Sequence, residues 1–299
     1  MSARTMPETR DEGTRAETEA TGVHGPSVWR QLRRQRLAVG AAIVLLLLGA
    51  CVLFAPLLTP YNPDSIDLLH PQAAPSAAHL FGTDQTGRDL FTRCLYGGRI
   101  SLAVGVVAML VAISIGTFIG AVAAVAGSIM DALLMRLIDI MLALPSFFLL
   151  ILVSTLFPPS APEIMLVLGL LSWMGTARLV RAEMLSLRER DFVEAARALG
   201  VGNGRLIRRH LLPNVVGTIT VQAALTMGFA ILAESGLSYL NLGISQPTPS
   251  WGNLLSDAQQ YLQTAPWLMY PPGALIALTV VCVFIVGNAV RTVVDPQQR

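Results

Sequence analysis

Residues Arg178 to Asn214 read RLVRAEMLSLRERDFVEAARALGVGNGRLIRRHLLPN, a charged island set between two long apolar runs. In a chain this hydrophobic, such an island marks where a membrane-embedded protein meets something soluble. Its local grammar predicts two short helices and a turn. Asp191 followed by Glu194 has the form of a capping box, so a helix is expected to start at Phe192. Ala195 to Leu199 are strong helix formers, and Gly200 is the residue type that ends a helix by turning left-handed. Gly202, Asn203 and Gly204 supply the turn. A second segment follows from Arg205 to Leu212, and Pro213 suits the first turn of the next helix.

Glu194-Ala195-Ala196, Gly200 four residues on, and Leu212-Pro213 resemble the EAA loop of bacterial ABC importer permeases, here spanning about residues 187–213. Arg209 to Asn214 is similar to the form of that loop in the peptide-transporter branch. The resemblance implies a cytoplasmic coupling helix that docks in a cleft of an ATPase subunit. It implies that role for Glu194, Ala195, Ala196, Leu199, Gly200 and Pro213, with small side chains allowing close approach. An amphipathic loop lying on the membrane surface is the plainer alternative.

Composition bounds the rest. Of 299 residues, 53% are hydrophobic and 13% charged, with mean hydropathy +0.59, far from the average soluble domain. The expected fold class is an all-α membrane protein with six transmembrane helices and a cytoplasmic coupling helix. Net charge +2 and the scattered arginines argue against nucleic acid. All 21 basic residues are arginine. A Walker A loop needs a lysine on the phosphates, so ATP, if it drives this protein, is expected on another chain. Cys51, Cys94 and Cys282 form no close pair, and the four histidines are scattered, which gives a metal or catalytic centre little support.

Residues 1–36 are polar and are expected to form a disordered tail. Leu37 to Leu58 is free of charge over 22 residues, about 33 Å as a helix, enough to cross a bilayer. With the polar, proline-containing excursion after it, this span forms a first unit over 37–98. Phe81 to Asp89, followed by Tyr96 to Leu102, resembles the segment before the permease core in the C-type subunits of dipeptide and oligopeptide transporters. The core is expected over 99–295.

Five further spans are expected, near Ile100 to Asp131, Arg136 to Leu156, Ile164 to Val180, Asn214 to Leu240 and Gly273 to Val290. Gly116 and Gly120 form a GxxxG step that lets another helix approach closely. Asp139 lies one turn inside the third span. An ion pair with Arg136 is the expected role and a transport role the alternative. Pro145 is expected to kink that helix, and Pro158, Pro159 and Pro162 to form its exit loop. Glu234, near the far end of the fifth span, is open to two readings: contact with substrate or partner, or structural hydrogen bonding.

With the N terminus inside, 18 of the 21 arginines fall on the cytoplasmic side, leaving Arg88, Arg93 and Arg99 outside. The arginine distribution thus places both termini and the island in the cytoplasm, without appeal to the resemblance. The resemblance implies one permease subunit of a dipeptide, oligopeptide or nickel importer. Its implied partners are a second homologous permease subunit, two cytoplasmic ATP-binding subunits and an extracytoplasmic substrate-binding protein, all in or at the lipid bilayer. No catalytic residue, metal or cofactor of its own is expected, ATP being bound by the partner subunits. Nickel, glutathione or opines are alternative cargoes. A secondary carrier, an intramembrane enzyme and a structural scaffold are the rival classes, and the spans lack the mid-membrane ionisable groups or serine–histidine pairs those chemistries use.

Overall fold

A computed structural model describes residues 35–156 and 160–294. Residues 1–34 of the expected tail lie outside them, as do Pro158 and Pro159, while Arg36, placed in that tail by expectation, is already helical. The described residues are almost wholly helical, with an isolated bridge between Thr83 and Asp89. The long elements are α1 (Arg36–Leu53), extended past a bend at Phe54 by α2 (Ala55–Leu58), then α3 (Leu90–Val125), α4 (Ser128–Ala143), α5 (Ser146–Leu156) and α6 (Ala161–Arg188). After them come α7 (Asp191–Ala198), α8 (Asn203–Leu206), a π turn (Ile207–Leu211), α9 (Leu212–Tyr239), α10 (Trp251–Gln259) and α11 (Tyr270–Val294). Among the described residues, five helical segments are long and apolar enough to cross a membrane, and α4 with α5 makes a sixth if that bent pair is one span.

α3 begins ten residues before the expected span because Asp89 caps it. The Asp89 carboxylate accepts from Thr92 N at 2.7 Å and from Thr92 Oγ1 at 2.6 Å. Further along, the GxxxG step lies against α6. A Cβ on Gly116 would stand 2.6 Å from the Trp173 carbonyl, and one on Gly120 2.5 Å from the Ala177 carbonyl. Gly169 of α6 returns the fit, with a Cβ there meeting Val111 of α3 at 2.6 Å. Backbone meets backbone along this pair, so dispersion contacts replace the hydrophobic drive that lipid does not supply.

At Pro145 the chain does more than kink. α4 stops at Ala143, Leu144 is extended (ψ 131°), and α5 leaves at 79° to α4. Steric conflict with the proline ring drives the preceding residue out of helical geometry, and the proline has no N–H to continue the ladder.

The helices run back and forth between two ends. At one end, Ala121 and Ala124 of α3, Val180 and Met184 of α6, Val193 and Ala196 of α7, and Leu206, Leu211 and Val215 form one buried cluster. Arg36 and Ala38 border a groove with Asn288, Ala289 and Thr292, so the start of α1 lies beside the end of α11. At the opposite end, Leu90 and Cys94 pack with Leu254, Ala258, Ala265 and Leu268. The island and the polar excursions therefore sit at opposite ends of the bundle.

Candidate functional site

α7 is built differently from the expected capping box. Its N-cap is Arg190, with no side-chain cap, and Asp191 is the first helical residue. α6 ends at Arg188 with Glu189 as its C-cap, and Arg190, in extended geometry, turns the chain so that Val193 and Glu194 N–H donate to the Arg190 carbonyl at 2.9 and 3.2 Å. Asp191 and Glu194 still lie in the first turn, where the helix dipole favours negative charge. The C terminus follows expectation. Gly200 has φ +76°, its N–H donates to the Arg197 carbonyl at 2.9 Å, and Val201 N–H donates to the Ala196 carbonyl at 3.1 Å. That pair of bonds is the Schellman motif.

One face of α7 is anchored and the other is free. Val193 and Ala196 are buried against the ends of α3, α6 and α9. Glu194, Ala195 and Arg197 are exposed, as are Phe192 (44%) and Leu199 (84%). Ala196 thus belongs to the anchored face, apart from Glu194, Ala195, Leu199 and Gly200. Two side chains that sequence reasoning passed over tie the island down. Arg188 donates to the Ala124 carbonyl and Asn203 Nδ2 to the Val125 carbonyl at 3.4 Å, satisfying carbonyls at the end of α3. These partners lie 64 and 78 residues apart in the chain, and no local signal marks such pairs.

Pro213 lies in the first turn of α9, as expected, although that helix is joined without a gap to what precedes it. The rod from Asn203 to Tyr239 is helical throughout, and a π turn over Ile207–Leu211 precedes the proline. Leu212 N–H donates back to the Ile207 carbonyl, a wider step in the ladder just before the residue that lacks a donor. Asn214 Nδ2 covers the His210 carbonyl at 2.6 Å. Pro213 itself is exposed.

Asp139 pairs with Arg178 of α6 and not with Arg136, which is exposed. One turn further along α6, Arg181 holds Asp131. Both pairs bridge α4 to α6, so tertiary contact replaced the local i, i+3 partner.

The structure places Glu234 at the opposite end of the bundle from α7. Its carboxylate is fully buried and accepts from Ser238 Oγ and Ser250 Oγ, both at 2.8 Å, with Ser101 Oγ at 3.5 Å. Ser250 is the N-cap of α10, and Ser101 accepts from Trp251 N–H at 3.0 Å. Trp251, also fully buried, donates its indole N–H to the Cys94 carbonyl at 2.9 Å. Nearby, the Asp84 carboxylate accepts from Thr86 N, Arg88 N and Arg88 Nε at 2.6–3.0 Å, and Arg88 reaches Gln246 Oε1 at 3.3 Å. Gln246 in turn donates to Asp257, whose carboxyl burial pushes above its ordinary value. These bonds fold the two excursions onto each other.

Among the described residues, no group of three or more His, Cys, Asp or Glu is placed to hold a metal ion. The arrangement offers an anchored helix with a free face at one end and a hydrogen-bonded cap at the other.

Residues 27–75 match the family described as the N-terminal TM domain of oligopeptide transport permease C. The dipeptide transport system permease protein DppC of Alkalihalophilus pseudofirmus is 40% identical over 277 residues, covering 91% of each chain. The oligopeptide transport system permease protein OppC of Escherichia coli K12 is 40% identical over 288 residues, covering 94% of this chain and 95% of that one. In fold, the chain is similar to the MetNI methionine ABC transporter in its inward facing conformations, with a TM-score of 0.57 at 19% identity over 68% of this chain and 97% of the other. Residues 116–299 match the family described as binding-protein-dependent transport system inner membrane component, and with relatives this similar over nearly their whole lengths the chain belongs to that family of multi-pass membrane permeases.

Proposed function

We propose that this chain is one of two membrane subunits of an ATP-driven importer that carries short peptides into the cytoplasm. Support for the cargo comes from the relatives, which are named for dipeptide and oligopeptide transport. ATP is bound by two partner subunits on the cytoplasmic side, and a binding protein delivers substrate at the Trp251 end. Both termini and the island face the cytoplasm, as the arginine distribution favours.

The observation that carries the reading is the two-sided character of α7. Val193 and Ala196 lock it to three spans while Phe192, Ala195 and Leu199 stand free beside Glu194. A helix held this way transmits force as a lever. When the ATPases close on nucleotide, displacement of α7 is passed to α3, α6 and α9, and the substrate path opens to the other side. The energy difference between the two states comes from the nucleotide bound elsewhere.

Co-expression with the two ATPase chains and the second permease, followed by reconstitution, tests the reading. The native chain is expected to retain both ATPases through purification and to couple hydrolysis to peptide uptake. Gly200→Pro, which forbids φ +76°, and Glu194→Lys are expected to leave membrane insertion intact and to reduce uptake per ATP by about ten-fold, roughly 1.4 kcal/mol of coupling. Full uptake by both variants, or an ATPase that never binds, overturns the docking role.

A further inference from the structure

Between the start of α1 and the end of α11 lies a cleft of about 550 Å³. One wall is the beginning of α1, from Gln35 to Ala38, and the other is a single stripe of α11 made by Ile285, Asn288, Ala289 and Thr292. Ala38 and Ala289 are buried where the two helices pack, and their small side chains leave the space in front of them open. The lining changes character with depth. Gln35, Arg36, Asn288 and Thr292 bring polar groups toward the helix ends, whereas Leu37 and Ile285 lie further into the spans.

Charge fixes the level of the cleft in the bilayer. Arg36 is the last charge before the 22 uncharged residues from Leu37 to Leu58, and Arg291 is the first after the uncharged run that opens α11. The cleft therefore straddles the border between headgroups and hydrocarbon. From Ile285 to Thr292 it follows the helix for about 10 Å, more than the polar layer of about 5–8 Å on each side of the hydrocarbon core. Its charge is one-sided. Among the described residues no acid lines it, and the sequence holds no Asp or Glu between Glu19 and Asp64, while Arg30, Arg33 and Arg34 lead up to Arg36. The Thr292 hydroxyl donates to the Asn288 carbonyl at 3.0 Å, which leaves the Arg36 guanidinium and the amides of Gln35 and Asn288 as the donors to an occupant.

We propose that this cleft holds one anionic phospholipid. Its phosphate meets Arg36 and the two amides, and an acyl chain runs past Leu37 and Ile285 into the hydrocarbon layer. Basic pockets between spans at the cytoplasmic border take anionic headgroups for this reason: the cation answers the phosphate while the apolar wall receives the chain. A lipid seated there braces the first span against the last. The assignment to the inner leaflet rests on the proposed topology, and the chemistry of the cleft does not.

Native mass spectrometry of the assembled transporter in neutral detergent, titrated with phosphatidylglycerol or with phosphatidylcholine of the same chains, tests the proposal. The native complex is expected to hold one phosphatidylglycerol about five-fold more tightly than phosphatidylcholine, and Arg36→Gln to remove that preference, as loss of one cation near the surface does. Asn288→Trp, which fills the cleft from its exposed rim, is expected to weaken the bound lipid by about ten-fold. Arg291→Gln, which removes an exposed cation outside the cleft, is expected to change neither value. Equal weakening by Arg291→Gln and Arg36→Gln would mean a diffuse basic surface, and undiminished binding by Asn288→Trp would mean another location; either overturns the site. Displacement of the lipid by millimolar inorganic phosphate would make it a free-anion site and overturn the assignment to lipid. Neutralising Glu8, Asp11, Glu12, Glu17 and Glu19 together in the full chain is expected to leave binding unchanged; a marked gain would make the chain's own acidic tail the occupant. None of these readings depends on peptide uptake, so the proposed cargo can fail while the lipid site stands.

Discussion

Glu234 shows how little a residue's position in the sequence says about its work. An acid near the end of an apolar span reads equally as a pathway group or a structural one. Folding brings Ser238 from its own helix, Ser250 from the cap of α10 and Ser101 from α3 around the same carboxylate. Replacing it by leucine strands three hydroxyls in a buried site, where each lost partner costs about 1–3 kcal/mol. Glu234→Leu is therefore expected to destabilise the protein by about 3 kcal/mol or more, and Glu234→Gln, which keeps an acceptor oxygen, by clearly less. Thermal unfolding of the purified complex, followed by the fluorescence of Trp251 and the other tryptophans, checks this. Equal midpoints for Glu234→Leu and the native chain would exclude the structural role. Asp139 carries the same lesson on a shorter scale. Arg136 was the nearest cation in sequence, but Arg178 is the one the α4–α6 packing presents.

Among the elements, those defined by local chemistry were legible. The alanine-rich helix closed by Gly200 and the GxxxG step of α3 follow from propensity, φ restriction and side-chain size. The start of α7 was not, because Asp191 competes with Arg190 for the N-cap, and α6 runs so close to α7 that Arg190 is the turning residue. At the entry to α9 the expectation holds, with Pro213 in the first turn of the helix, where its missing N–H costs nothing, and the π turn before it joins that helix to α8. The α3–α6 contact gives a direct prediction. Gly120→Val would place side-chain carbons within 2.5 Å of the Ala177 carbonyl, backbone that has nowhere to move. Such overpacking typically costs about 1–3 kcal/mol, so the variant is expected to unfold at lower temperature or to assemble poorly. Gly202→Val, where nothing lies within 4 Å, serves as the control.

For the whole molecule, the alternation of spans groups Arg36, the island and Arg291 at one end and Arg88, Arg93 and Arg99 at the other. The arginine asymmetry in the sequence therefore becomes an asymmetry between the two ends of a bundle, and the proposed topology, drawn from the positive-inside rule, puts the first of them in the cytoplasm. In sealed right-side-out vesicles, with native cysteines replaced, Thr264→Cys is expected to react with an impermeant maleimide at once and Arg197→Cys only after permeabilisation. The reverse pattern would invert the topology and remove α7 from any cytoplasmic ATPase.

The sequence by itself determined the membrane class, the apolar runs, the existence of a charged island and the small-residue face of α3. Those features depend on hydropathy, charge and backbone preference within a few residues of chain. Only the tertiary structure decided which face of α7 is free, that α4 and α5 part by 79°, that Arg178 answers Asp139, and that three serines converge on Glu234. Pro145 marks in the sequence where α4 and α5 part, though not by how much, and the other three share one physical reason. Each depends on how far a helix is rotated about its axis and where its neighbour sits, and in a span apolar on every side the pattern of residues leaves that rotation almost unmarked.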